Sequence, residues 1–162
     1  MQQNDPKLTT CLWFDDNAEE AVDFYASIFK DNLKRGDILR WGDVGNGPKG
    51  SVLTSTFQLY GQEFLCLNGG KQVTFNMAVS IVVNCNTQDE VDELWEKLSA
   101  GGEKSMCGWL KDKFGLWWQV TPVQLPKMLM DKDTKKADSA MRAMMEMTKL
   151  EIDELEAAFN NP

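Results

Sequence analysis

Hydrophobic and polar positions along the chain first follow a period of two and then a helical period. Residues 8–14 alternate with apolar side chains on both faces, which predicts a strand covered on both sides. Asn17 and Glu20 then have the spacing of a capping box, in which each side chain accepts from a backbone amide at the start of a helix. The predicted helix has one apolar face, formed by Ala18, Ala21, Val22, Tyr25 and Phe29.

Three more strands are predicted after this helix. Residues 33–41 form the weakest of them, and a glycine-rich turn separates it from residues 51–60. Gly61 and Gln62 lead into residues 63–68, and two residues between two strand patterns indicate a hairpin. The first half of the chain therefore has the order strand, helix and three strands.

The second half repeats this order. A strand over residues 78–85 precedes a second capping box, Thr87 with Glu90, and a helix whose apolar face contains Trp95. Gly101 suits the left-handed conformation that ends many helices. Three strands are predicted next, over residues 103–107, 108–112 and 116–121.

Internal repetition of this kind indicates a duplicated structural unit. Aligning the two capping boxes places Thr10 opposite Ser80 and Tyr25 opposite Trp95. We therefore predict an α+β fold with a first βαβββ module over residues 8–70 and a second over residues 75–122.

Residues 123–162 carry short helical patterns outside the repeat and predict a C-terminal helical extension of the same structural domain. Pro126 suits the first turn of one such helix. Six of the nine methionines lie in this tail. Two interpretations remain open: an apolar stripe that covers the core, or an adaptable dimer surface, since thioether side chains repack easily.

Composition restricts the partners and the location. The 162 residues are 43% hydrophobic, enough for a core, while the longest apolar runs are far shorter than the roughly 20 residues that cross a bilayer. A net charge of -8 disfavours nucleic acid. Residues 1–6 have no basic and apolar segments of an export signal, so we predict a cytoplasmic protein.

Histidine is absent, and the four cysteines form no C-x-x-C pair. Three of the cysteines lie in hydrophobic strand patterns, where free thiols usually pack as small apolar groups. Because histidine is the commonest neutral metal ligand and the usual base near pH 7, any mechanism must work without it.

Several sequence runs resemble the PhnB-like family, which is also named for a demethylubiquinone methyltransferase-type domain. The matching runs include residues 107–115 (Cys-Gly-Trp-Leu-Lys-Asp-Lys-Phe-Gly), 75–80, 84–92, 118–120, 12–14, 18–21, 50–53, 67–70 and, in the tail, 143–144 and 155–158. The family belongs to the vicinal oxygen chelate superfamily, with glyoxalases, bleomycin resistance proteins and extradiol dioxygenases. This resemblance implies two βαβββ modules that form a curved mixed sheet around a cavity, and a homodimer.

The resemblance also implies where a metal would bind in metal-dependent members, on the first and last strands of each module. Those positions fall near Thr10, Leu65, Ser80 and Gln119. None of these residues supplies an anionic or imidazole donor, so we expect no metal and no cofactor. A register shift of one residue would instead select Cys11, Cys66, Ile81 and Trp118, which is no better as a ligand set.

A ligand cavity without a metal is therefore expected. A period of two over residues 116–121 puts Trp117, Gln119 and Thr121 on one strand face. The family usually has serine where this chain has Trp117, which either narrows the cavity for a planar ligand or fills core volume. The residues expected to bind the ligand are Trp13, Asn68, Ser80, Trp109, Trp117 and Gln119.

Asp112 is the one carboxylate considered for catalysis. In a Lys-Asp-Lys turn it is expected to be solvated, whereas a buried Asp112 would be a candidate general base.

Three functions are compatible with the resemblance. The first is binding of a small, partly aromatic molecule in a metal-free cavity, as in bleomycin resistance proteins. The second is methyl transfer to a demethylubiquinone-like substrate, although the chain has no glycine-rich loop of the kind that nucleotide-type methyl donors usually occupy. The third, a metal-dependent lyase or dioxygenase, is disfavoured by the ligand positions.

Overall fold

A computed structural model describes residues 7–162 and divides the chain into two compact units, Met1–Thr74 and Phe75–Pro162. Residues 1–6, on which the prediction of a missing export signal rests, lie outside the described part. Each unit is an α+β structure with a four-stranded mixed sheet, which confirms the predicted fold class.

The first unit contains the predicted strand, helix and three strands. Its elements are β1 (Thr10–Phe14), α1 (Ala18–Phe29), β2 (Leu33–Arg40), β3 (Val52–Leu59) and β4 (Gln62–Asn68). The sheet order is β1-β4-β3-β2, with β1 parallel to β4 and the other pairs antiparallel. Tyr60 and Gly61 form the β3–β4 turn, and both have the positive φ that a two-residue hairpin requires. The turn therefore lies one residue earlier than the predicted pair, Gly61 and Gln62.

The second unit repeats this topology. Its elements are β5 (Ile81–Cys85), α2 (Gln88–Ser99), β6 (Glu103–Lys104), β7 (Trp109–Lys111) and β8 (Trp117–Pro122). The sheet order is β5-β8-β7-β6, with β5 parallel to β8. Strand β6 has only two residues because the chain turns at Cys107 and Gly108, which both have positive φ.

Each helix packs its predicted apolar face on one side of its own sheet. In the first unit the buried Tyr25 ring lies 6.0 Å from Phe57, which stacks at 4.9 Å on Phe64. In the second unit Trp95 of α2 and Trp118 of β8 are buried. Neither α1 nor α2 packs on the opposite face of its sheet, and that face is called the open face below.

The two helices begin differently, although their sequences predict the same capping box. Thr87 accepts from Glu90 N at 3.2 Å, as in a capping box. The Glu90 carboxylate accepts from Asn86 N at 2.6 Å, one residue before the Thr87 amide that a capping box would use. Asn17 makes no side-chain cap. Asn68 of β4 caps α1 instead, accepting from Ala18 N at 2.9 Å.

A difference in loop length explains this change. Three residues separate β1 from α1, whereas two separate β5 from α2. Alignment by the helices therefore misplaces the strands by one residue: Leu12 and Phe14 correspond to the buried Val83 and Cys85. The pairing of Thr10 with Ser80 was wrong, and Thr9 takes that position.

The tail forms three helices, α3 (Leu125–Leu129), α4 (Thr134–Glu146) and α5 (Ile152–Asn160), with Pro126 in the first turn of α3 as predicted. Their buried residues form a separate small core of Leu125, Met128, Ala140, Leu150 and Leu155. Met144 and Met147 pack against it, whereas Met141 and Met145 face outwards. Met128, Met144 and Met147 thus belong to or cover the small core, whereas the dimer-surface interpretation of the exposed methionines stays a prediction.

Candidate functional site

Strand β8 presents one buried and one open face, as its sequence predicts. Trp118 and Val120 are buried, while Trp117, Gln119 and Thr121 are half-buried on the open face. Trp117 therefore does not fill the core against α2.

Strand β7 places two further side chains on this open face. Trp109 pairs with Gln119, and Lys111 pairs with Trp117. The Trp109 and Trp117 rings meet edge to face with centroids 6.4 Å apart, and Lys111 Nζ lies 5.9 Å from the Trp117 centroid. Both tryptophans are thereby fixed beside the Gln119 side chain.

Ser80 orients Gln119. The Nε2 group of Gln119, in β8, donates to Oγ of Ser80, the residue before β5, at 2.9 Å. The structure thus brings together four of the six predicted ligand-binding residues, Ser80, Trp109, Trp117 and Gln119, on one surface of the second unit.

A pocket of about 420 Å³ opens beside this group. Trp109 and Gln119 form part of its wall, whereas Trp117 and Ser80 do not line it. The other lining residues are Cys107, Thr121, Leu125, Pro126, Leu129, Met130 and Met144. None of these seven was predicted as a site residue. Strand alternation had placed Thr121 on the same face as Gln119, but for the five tail residues the only sequence signal was helical apolar spacing, which does not indicate the surface on which the helices pack.

Trp13 and Asn68, the two predicted site residues of the first unit, lie on opposite faces of its sheet. Trp13 Nε1 donates to Gly70 O at 2.8 Å, and its ring packs so closely on Gly69 that a Cβ there would overlap it. Asn68 is directed towards α1, whose first amide it caps, and its Nδ2 donates to Val52 O at 3.1 Å. Both side chains therefore support local structure.

Asn68 also borders a second cavity, of about 600 Å³, under the turn between β2 and β3. Three acidic residues line it, Asp15, Asp16 and Glu19, and Arg40 pairs with Glu19 at 3.2 Å. Trp41 packs against the turn glycines and forms part of the wall. The cavity is lined by none of the other predicted site residues.

Asp112 is buried, with 1% of its surface exposed, so the expectation of a solvated turn residue was wrong. Its Oδ1 accepts from Phe114 N at 2.9 Å and from Leu116 N at 3.0 Å, and its Oδ2 accepts from Trp118 Nε1 at 2.9 Å. A carboxylate that already accepts three hydrogen bonds is poorly placed to take a substrate proton. Asp112 therefore fastens the β7–β8 turn.

The donor atoms at the superfamily's metal positions do not fit a transition metal. Leu65 has no donor, and the Gln119 amide donates to the Ser80 hydroxyl. Thr9 and Ser80 supply only neutral hydroxyls, which are weak ligands for zinc, iron or nickel. Among residues 7–162, no three His, Cys, Asp or Glu side chains are grouped to hold a metal ion.

The cysteines are free thiols, and one differs from expectation. Cys66 and Cys85 are buried, and burial raises the pKa of each thiol to about 12. Cys11, which was also expected in the interior, is exposed on the open face of β1 because the strand register places Leu12 inside.

Within residues 7–162, no helix has both the length and the apolar content needed to cross a membrane.

Comparisons with known proteins agree with this architecture. Residues 6–121 match the model of the 3-demethylubiquinone-9 3-methyltransferase family. The PhnB protein of Bacillus cereus, which carries the same methyltransferase name, is 38% identical, with a TM-score of 0.66 over 73% of this chain and 100% of that chain. No curated protein matches.

More distant solved structures share the fold. Protein PA1353 from Pseudomonas aeruginosa is 20% identical, with a TM-score of 0.60 over 73% of this chain and 98% of its own. The fosfomycin resistance protein FosX from Listeria monocytogenes is 18% identical, with a TM-score of 0.56 over 80% of this chain and 100% of its own. The family match ends at residue 121, so it does not include the tail residues 143–144 and 155–158 that resemble the family. The chain belongs to the PhnB-like 3-demethylubiquinone-9 3-methyltransferase family and has the glyoxalase fold of the vicinal oxygen chelate superfamily.

Proposed function

We propose that this chain binds a small, partly aromatic molecule on the open face of its second sheet, without a transition metal. The observation that carries the proposal is the pocket of about 420 Å³ beside Trp109 and Gln119. This volume lies within the range of small-molecule sites, which combine apolar walls with a few oriented polar groups.

The chemistry of the wall supports an aromatic ligand. The Trp109 ring is held by its edge-to-face contact with Trp117 and offers a flat surface. The bond to Ser80 fixes the Gln119 amide, so a ligand group can be oriented without reordering that side chain. Thr121 adds a hydroxyl that both donates and accepts.

Native mass spectrometry of the purified protein, followed by chemical identification of the released molecule, tests this proposal. We expect Gln119→Ala and Trp109→Ala each to weaken binding of that molecule about tenfold, since one oriented hydrogen bond or aromatic contact contributes on the order of 1 kcal/mol. Gln58→Ala removes the same atoms from β3 and is the matched control. Equal affinities for all three variants and the parent protein would refute the pocket assignment.

Methyl transfer is the activity in the family's name. The residues between β1 and α1 and between β5 and α2 include no glycine, which gives no support for a nucleotide-type methyl donor at those turns. Binding without methyl transfer is therefore the function we propose.

We also propose that the protein is a cytoplasmic homodimer. Free thiols are typical of reducing compartments. Met77, Val79 and Val82 are exposed at and before β5, and apolar side chains grouped in this way favour a protein partner. Light scattering after size exclusion at micromolar concentration is expected to give twice the mass of 18.3 kDa. A monomer mass would contradict the dimer and leave the pocket proposal standing.

A further inference from the structure

We infer that the C-terminal tail selects the ligand of the 420 Å³ pocket: α3 and α4 form its second wall and restrict it to uncharged, largely apolar molecules. This inference rests on the proposed binding function and specifies its ligand class. The ligand class thus depends on the part of the chain that follows the family match, which ends at residue 121.

The tail contributes more of the pocket than the sheet does. Five of the nine lining residues lie in it: Leu125, Pro126, Leu129, Met130 and Met144. The sheet and its β6–β7 turn contribute Cys107, Trp109, Gln119 and Thr121. Without the tail, the open face at Trp109 and Gln119 would be a surface rather than a pocket.

The wall carries no formal charge. None of the nine residues that line the pocket is Asp, Glu, Lys or Arg, and the tail residues offer no hydrogen-bond donor and no acceptor stronger than a thioether sulfur. A charged ligand would lose hydration here without gaining an opposite charge from the lining residues, so its binding is disfavoured. A neutral aromatic molecule can contact the Trp109 ring and the thioethers of Met130 and Met144, which all line the pocket.

The tail is held in place at both ends of this wall. Before α3, Val123 N donates to Cys85 O at 2.9 Å. After α4, Met147 O and Thr148 O each accept from the β6–β7 turn at 2.7 Å, from the amides of Cys107 and Gly108. These bonds hold both ends of the segment, and α3 and α4 share the small core described above, so the wall is largely preorganised.

A further set of contacts fixes the chain after α4 to the start of α2. Gln88 Oε1 accepts from Ile152 N at 2.8 Å, and Lys149 Nζ lies 2.5 Å from Asp92 Oδ1. Hydrogen bonds from Lys149 and Gln88 lower the pKa of Asp92, and hydrogen bonds to Asp92 and Glu151 raise the pKa of Lys149. A lowered carboxyl pKa gives a stabilising contribution that is present above the ordinary value near 4 and is lost in more acidic solution.

Two fluorescent probes test the ligand class. N-phenyl-1-naphthylamine is neutral, and 8-anilinonaphthalene-1-sulfonate has the same aromatic skeleton with one negative charge. We expect the neutral probe to bind at least tenfold more tightly to the full-length protein. Equal or tighter binding of the anionic probe would overturn the inference.

Charge-introducing variants test the role of the tail. Met144→Glu places a carboxylate in the wall and is expected to weaken the neutral probe at least tenfold, whereas Met145→Glu, the next residue and 60% exposed, should change its affinity less than twofold. Met130→Glu is the second variant. It alters a wall residue that is 76% exposed, so the fold tolerates it, and a threefold or larger loss is expected.

The outcomes separate this inference from the proposed function. If Gln119→Ala weakens the neutral probe while Met130→Glu and a folded Met144→Glu leave it unchanged, the sheet binds the ligand and the tail does not select it. If none of these variants has an effect, the pocket is not the binding site and both proposals fail. Circular dichroism of each variant establishes that it is folded.

Discussion

Replacing Asp112 with alanine is expected to lower the free energy of unfolding by about 4 kcal/mol, a large effect for a residue in a turn. The buried carboxylate accepts from the amides of Phe114 and Leu116 and from the Trp118 indole. Alanine would leave these three donors without that acceptor in a site from which water is largely excluded. Urea denaturation followed by tryptophan fluorescence measures the change.

A double-mutant cycle isolates the indole contact. Asp112→Asn retains an oxygen for the two amides but directs an NH₂ group at the indole N–H, so a loss of about 2 kcal/mol is expected. Trp118→Phe removes the indole N–H, and with it most of the unfavourable contact between two hydrogen-bond donors. The double variant should therefore lose less than the sum of the two single variants. Strict additivity would show that the bond between Asp112 and Trp118 carries no energy.

Replacing Gly102 with alanine is expected to cost about 3 kcal/mol by a steric mechanism. A Cβ at this position would overlap Lys111 O and lie 2.7 Å from the carbonyl carbon of Asp112 and 2.9 Å from its Cα. All three neighbours are backbone atoms of the strand end that carries Asp112, so no side chain can rotate away. Either α2 or the β7–β8 turn must shift.

Gly101→Ala is the matched control because it adds the same methyl group one residue earlier. Gly101 has a φ of +75° but has space for a Cβ, with Lys113 Cβ at 3.4 Å as its nearest neighbour. The cost there is backbone strain of about 1 kcal/mol. Thermal unfolding of the two variants should therefore differ clearly, and equal midpoints would contradict the steric explanation.

Local patterns were sufficient to predict much of the fold. The βαβββ order, the alternation of β8 around Trp118 and the Thr87 cap all depend on residues within a few positions of each other. Gly101 ends α2 in the left-handed conformation that its position after the helix predicts.

The start of α1 could not be predicted in the same way. Asn17 has the correct residue type and spacing for a cap, but the acceptor that binds Ala18 N comes from Asn68, 50 residues away. Tertiary pairing of β1 with β4 brings that side chain to the helix, and the additional loop residue moves Asn17 out of position. Sequence spacing contains neither fact.

In the candidate site too, some residues could be predicted from the sequence, whereas others depend on long-range contacts. The family resemblance placed Ser80 and Gln119 at the site, and the period of two along β8 added Trp117; the structure brings these residues and Trp109 to one surface. The surface on which an amphipathic tail packs depends on long-range contacts, so the apolar spacing of the tail could not indicate that Met130 and Met144 line this pocket. The burial of Asp112 was not predicted, because its two lysine neighbours in the sequence are typical of an exposed turn.

The different helix starts have a consequence for the order in which the two units fold. Helix α2 has its cap at Thr87, within reach of Glu90, so its first turn is stabilised as soon as it forms. Helix α1 receives its side-chain cap, at Ala18 N, only after a strand from the far end of its unit has docked, which requires closure of a loop of about 50 residues. We therefore expect helix nucleation to begin in the second unit, with α1 completed only when β4 is in place.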